Sequence, residues 1–213
     1  MDESAARRFL ADELNVSRET LARLEAFVEF LTIENENQNL VSKQSLGTVW
    51  ARHIADSAQL IRFAPGSATW LDLGTGAGFP GLIIALLHRS KVTMVESRAK
   101  RAEFLRQAAA LLGLGGEANL VCARVETLEA SPFDVISARA FAPLDRILAL
   151  GERFATPATR WILPKGRNAK SELEAVESSW QGDFRIEPSL TDGASHIIVA
   201  EQVRRKGTGR RRR

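Results

Sequence analysis

The sequence predicts a doubly wound α/β fold: a mostly parallel sheet with a C-terminal antiparallel hairpin, preceded by helices. Three observations carry this. From Trp70 onward, short apolar runs alternate with segments of helical period, the pattern of repeated βα units. A glycine-rich stretch, Gly74 to Gly81, joins the first run to its helix, which is where open α/β sheets bind ligands. The last two runs, Phe184–Leu190 and His196–Val203, are too close together for a parallel crossover and have hairpin spacing.

The elements follow in order. Ser17 can cap a helix whose Leu21, Leu24, Phe27, Val28 and Leu31 form one apolar face. The polar stretch Glu34–Asn39 ends it. A second helix is expected from Leu46 to Phe63, with Val49, Trp50, Ile54, Leu60 and Ile61 in period, and Pro65-Gly66 closes it. Strands are expected at Trp70–Leu73, Val92–Glu96, Asn119–Cys122, Phe133–Ala138 and Trp161–Leu163. Helices are expected at Leu82–Leu87, across Ala102, Leu105, Ala109 and Leu112, at Leu144–Phe154 and at Ser171–Trp180. This divides the chain into an N-terminal helical extension (1–64), an α/β domain (65–203) and a basic flexible tail (204–213).

Composition sets limits. With 213 residues, 45% hydrophobic and 26% charged, the chain can bury a full core without metal or disulfide staples. Cys122 is its only cysteine, so no intramolecular disulfide forms and a reducing compartment is expected. No apolar run approaches the ~18 residues of a membrane span. Met1-Asp2-Glu3-Ser4 has neither the basic nor the apolar part of a secretory signal. Cytoplasmic location and a monomeric state are the expectations. Net charge is +3, but residues 204–213 (RRKGTGRRRR) hold seven positive charges. Without them the body carries about −4, so the basic balance belongs to the tail. Such a tail suits a polyanion or simply aids solubility.

The richest stretch is Leu71-Asp72-Leu73-Gly74-Thr75-Gly76-Ala77-Gly78-Phe79-Pro80-Gly81. Glycine lets the backbone take positive φ and approach a ligand closely. Gly76, Gly78 and Gly81 also fit a dinucleotide-binding pattern, so a nicotinamide oxidoreductase that uses them with Glu96 is one reading. Two details favour S-adenosylmethionine. A carboxylate at Asp72 suits the cationic methionine end and opposes a pyrophosphate. Pro80 removes an N–H that would hold phosphate. Glu96, at the end of the second strand, can accept both ribose hydroxyls of either ligand. It can equally be a strand-end acid beside Arg98. After the third strand, the main chain at Val125 and Glu126 lies where an adenine would sit, while Glu126 could instead cap a short helix. His53, His88 and His196 lack metal-ligand spacing and Cys122 stands alone, so no metal is expected.

Asn39-Leu40-Val41-Ser42, Arg52-His53-Ile54-Ala55-Asp56-Ser57, the turn GTGAGFPG, Ser137-Ala138-Arg139-Ala140 and Leu163-Pro164-Lys165-Gly166 occur in this order. Together they resemble the RsmG (GidB) family over about residues 20–203. The resemblance implies a Rossmann-like class I S-adenosylmethionine-dependent methyltransferase fold. It also implies methylation of guanine N7 in 16S ribosomal RNA, with the RNA or the small-subunit particle as partner. It places Gly74 and Phe79 in the cofactor turn, Val125 and Glu126 on the adenine side, and Arg139 as a further cofactor residue. Glu96 matches the ribose-side acid by strand position. Lys165 and His53 are candidate RNA contacts. Against these stand a solvated Lys165, an Arg139 ion-paired with Asp134 or Asp145, and a buried structural His53 paired with Asp56. A non-catalytic RNA-binding protein with a vestigial pocket is the remaining alternative.

Overall fold

The computed structural model describes residues 1–88 and 90–207. The chain opens with α1 (Glu3–Arg8), α2 (Arg18–Gln38) and α3 (Lys43–Leu46). A broken helical path follows, with a π turn at Trp50–Ala55, α4 (Asp56–Ala58) and a 3-10 turn at Gln59–Phe63. Then come β1 (Thr69–Leu73), α5 (Gly81–His88), β2 (Lys91–Glu96), α6 (Ala99–Leu111), β3 (Ala118–Cys122), β4 (Val135–Ser137), α7 (Leu144–Gly151), β5 (Arg160–Lys165), α8 (Ala169–Val176), β6 (Trp180–Pro188) and β7 (His196–Arg205).

The seven strands lie in the order β3-β2-β1-β4-β5-β7-β6. All pairs from β3 to β5 are parallel, and β7 runs antiparallel to both β5 and β6. The order reverses at β1, so β1 and β4 flank the crevice where such sheets bind ligands.

Strand alternation sorts the core into two faces. Trp70, Val92, Met94, Val135, Ile162 and Val199 face the N-terminal helices with α5 and α6. Leu71, Leu73, Val95, Ile136, Trp161 and Ile198 face α7 and α8. The N-terminal segment is thus part of the core: Phe27 of α2 packs edge-on against Phe79 at 5.8 Å and also meets Phe104.

Four local features depart from expectation. The short helix α1 lacks an apolar stripe legible in sequence. It forms because Asp2 caps it, accepting from the Ala5 N–H, and because Glu3 accepts from the backbone of Trp50 and Ala51 at 3.1 and 2.8 Å. The helix expected over 46–63 is segmented, since that same Glu3 holds the start of the π turn. The helix expected to reach Trp180 stops at Val176, because Trp180 opens β6 with its indole buried and donating to Asp145 at 2.8 Å. Arg204 and Arg205, expected in the flexible tail, lie in β7, where Arg205 pairs with Glu152 at 2.9 Å and covers Trp180. Residues 208–213 of that tail lie outside the described residues.

Candidate functional site

The turn after β1 is built on left-handed glycines, with φ of 67° at Gly74, 60° at Gly76 and 90° at Gly78. Thr75 donates its N–H to Val95 at 3.1 Å, tying the turn to β2. Behind the turn, Asp72 is fully buried. One carboxylate oxygen accepts the Gly81 N–H at 3.1 Å and the other accepts the Ser137 hydroxyl at 2.7 Å. The Trp70 indole donates in turn to Ser137 at 2.8 Å. Burial pushes the Asp72 carboxyl above its usual range, against hydrogen bonds that favour the charged form. Asp72 therefore joins β1, β4 and the start of α5 from inside, and does not face the cavity where a cationic ligand end was expected. Pro80 stands just before α5.

Two cavities open at the carboxyl ends of the strands. The first, of about 770 Å³, is lined by Gly74, Glu96, Val125, Glu126, Arg98 and Phe141, among others. Glu96 is almost buried, and one of its oxygens accepts the Arg98 N–H at 2.8 Å. Glu126 is held by Arg146 at 2.7 Å. Gly76, Gly78 and Phe79 shape the turn without lining this space. The Phe79 ring turns into the core, stacked on His53 at 4.8 Å.

The second cavity, of about 660 Å³, is lined by Arg139, Asp56, Lys165, Ser189, Asp192 and His196, among others. Arg139 comes from the end of β4. Its guanidinium donates to the Arg52 carbonyl at 2.7 Å and to His53 Nδ1 at 3.0 Å, and lies 3.3 Å from Asp56. Asp56 also accepts the Thr191 hydroxyl at 2.9 Å, which brings the β6–β7 connection into the cluster. Lys165 is nearly buried, 2.8 Å from Glu172 and 3.1 Å from the Ala142 carbonyl. Ala140, Phe141 and Ala142 line both cavities and form the wall between them.

This geometry can hold an elongated ligand along the turn and a second one against it. Residues 20–196 match the family model described as "GidB: rRNA small subunit methyltransferase G". A protein of Rhizorhabdus wittichii named ribosomal RNA small subunit methyltransferase G is 51% identical over 216 residues, covering 100% of this chain and 99% of that protein. One of the same name from Zymomonas mobilis is 46% identical, covering 97% and 96%. The chain belongs to the GidB family. A crystal structure of a mutant of MtNAS in complex with S-adenosylmethionine shares the fold at a TM-score of 0.55 and 19% identity, over 95% of this chain and 84% of that one. The fold is that of class I S-adenosylmethionine-dependent methyltransferases, and nothing supports a nicotinamide oxidoreductase.

Within this GidB chain, the structure gathers Gly74, Glu96, Val125 and Glu126 at one cavity and Arg139 and Lys165 at the other. His53 is buried behind Arg139, and it is Arg139, not His53, that pairs with Asp56. Sequence reasoning missed Phe141, one residue beyond the motif it quoted, and the Asp56–Thr191 contact, which spans 135 residues. Among the described residues no three His, Cys, Asp or Glu side chains gather as a metal site would need.

His53 yields a pH prediction. Burial above all, then Arg139 and Arg52, pushes its imidazole down to about 3. It is neutral, with Nδ1 accepting from Arg139. The unfolded chain takes up this proton near pH 6.5 and the folded chain does not until about pH 3. Stability is therefore unaffected by this group above pH 6.5. It falls as pH drops below that value, by up to about 1.4 kcal/mol per pH unit. Urea unfolding of His53→Gln should lose about 2 kcal/mol less than wild type between pH 7 and pH 5. Equal losses in both proteins would refute the assignment.

Proposed function

We propose that this chain transfers the methyl group of S-adenosylmethionine to N7 of a guanine in 16S ribosomal RNA. The observation that carries this is the pair of cavities meeting at one wall, residues 140–142, at the carboxyl end of β1 and β4. A cofactor-sized space against the glycine turn and an acceptor space across the wall are what methyl transfer requires. Membership of a family named for methylation of small-subunit rRNA supports the substrate class.

S-adenosylmethionine, when bound, supplies a methyl group already activated by its sulfonium. Guanine N7 offers a lone pair and has no proton to lose, so no side chain need act as a general base. The task of the protein is alignment, and proximity and orientation can contribute ~7–11 kcal/mol. In this reading the backbone at Gly74 forms the floor for the methionine end, and Gly76, Gly78 and Phe79 shape the turn that carries it. Asp72 acts on that end through the turn it braces. The free oxygen of Glu96 accepts ribose hydroxyls, and Val125 and Glu126 meet the adenine edge; Arg139, expected at the cofactor, lines the second cavity and so stands on the acceptor side of the wall. Lys165 and His53 act on the RNA indirectly, by fixing Ala142 and Arg139.

The proposed working unit is a monomer. No helix of the described residues is long and apolar enough to cross a membrane, in keeping with a cytoplasmic enzyme acting on RNA or on the small-subunit particle.

The test is methyl transfer from labelled S-adenosylmethionine to small-subunit RNA that lacks the modification, followed by mass spectrometry of the nucleosides. The expected product is 7-methylguanosine. Label on another base, or RNA binding without transfer, would contradict the proposal. Glu96→Gln keeps the shape but weakens a charged acceptor, and should reduce cofactor affinity about tenfold by calorimetry. Unchanged affinity would remove Glu96 from the ribose site.

A further inference from the structure

Among the described residues, Phe141 is the only phenylalanine or tryptophan lining either cavity, and it lines both. Its ring lies directly over Gly74: a Cβ placed there would stand 2.1 Å from Phe141 Cδ2. The residue before it, Ala140, has a φ of 49°, in the left-handed region that alanine rarely adopts. The chain on both sides is anchored. Arg139 is gripped by Asp56 and the Arg52 carbonyl, the Ala142 carbonyl accepts from Lys165 at 3.1 Å, and the Leu144 N–H donates to Glu172 at 2.8 Å. A strained backbone pinned at both ends thus presents one half-buried aromatic ring at the boundary between the two spaces.

The ring now covers the glycine backbone that the cofactor would approach. Transfer needs the reacting atoms about 3–3.5 Å apart and in line, so a ring on this wall that swings off Gly74 stands beside the acceptor. We propose that Phe141 is an acceptor-binding residue, whose ring leaves Gly74 when the cofactor cavity fills and becomes the face against which the target purine stacks. Aromatic rings hold splayed-out bases by stacking. A ring does more here than an aliphatic chain, because methylation at N7 places positive charge on the purine, and an aromatic face attracts a cation.

This inference rests on the methyltransferase reading, and the experiment separates the two. Phe141→Leu and Phe141→Tyr are compared with wild type for cofactor affinity by calorimetry and for single-turnover methylation across RNA concentration. Phe141→Leu should bind S-adenosylmethionine as tightly as wild type, or more tightly, since less covers Gly74. Its kcat/KM for RNA should fall about ten- to hundredfold, with the rate at saturating RNA also reduced. Phe141→Tyr should restore most of both. A merely structural role would instead weaken cofactor and RNA together. Phe141→Leu that methylates at the wild-type rate, or loses cofactor affinity in step with rate, overturns the inference while leaving the function standing. Wild-type protein that binds no S-adenosylmethionine overturns both.

Discussion

Gly74→Ala should bind S-adenosylmethionine at least about a hundredfold more weakly than the wild-type chain while remaining folded. Two effects act, and they separate experimentally. The φ of 67° is left-handed, which costs an alanine about 1–2 kcal/mol. That cost is present with or without ligand, so it lowers the melting temperature and not the affinity. The second effect is steric. The new Cβ points into the space held by the Phe141 ring, 2.1 Å from Cδ2, and so into the approach to the turn. Losing close backbone contact of about 3 kcal/mol corresponds to roughly a hundredfold in affinity. Gly76→Ala is the control, since its Cβ would meet nothing closer than 3.9 Å. It should share the left-handed backbone cost without the clash, lose less stability than Gly74→Ala, and keep most of the affinity. Calorimetry and thermal melts on both variants decide the matter. Gly74→Ala with affinity within threefold of wild type would mean that no ligand lies against this turn.

The other large effect is expected at Asp72, and it is one of stability. Asp72→Ala leaves the Gly81 N–H and the Ser137 hydroxyl without their buried acceptor, and a buried unsatisfied donor costs about 1–3 kcal/mol. Burying a carboxylate is itself unfavourable, and removing it recovers part of that. Two orphaned donors and a small void outweigh the recovery, so the net loss should be about 3 kcal/mol by urea unfolding. Asp72→Asn keeps an acceptor in place and should lose less than half as much. An alanine variant as stable as wild type would show that the carboxylate serves a ligand and not the fold.

These two residues also mark the limit of what the sequence discloses. The glycine turn, the βα alternation and the closing hairpin are local patterns, and each is legible in a few consecutive residues. Gly74, Glu96, Val125 and Glu126 reach one cavity because strand ends in a parallel sheet share an edge. Which way a side chain points is decided by distant partners. Asp72 looks inward because Ser137 and Gly81 meet it from other elements. Lys165 is held by Glu172 rather than by solvent, and the Phe79 ring is claimed by Phe27 and His53. Phe141 gave no periodic signal, since it lies in an irregular segment and its importance comes from standing between two spaces.

The antiparallel course of β7 has a consequence for where positive charge emerges. Its first residue, His196, pairs with Lys165 at the rim of the cavities, and its last, Arg205, pairs with Trp180 at the opposite pole. Ten strand residues span about 33 Å. Arg204, Arg205 and Lys206 therefore leave the sheet on the side away from the chemistry. A nucleic acid that touched both that cluster and the acceptor cavity would have to travel the full height of the sheet, gripping the enzyme from two ends.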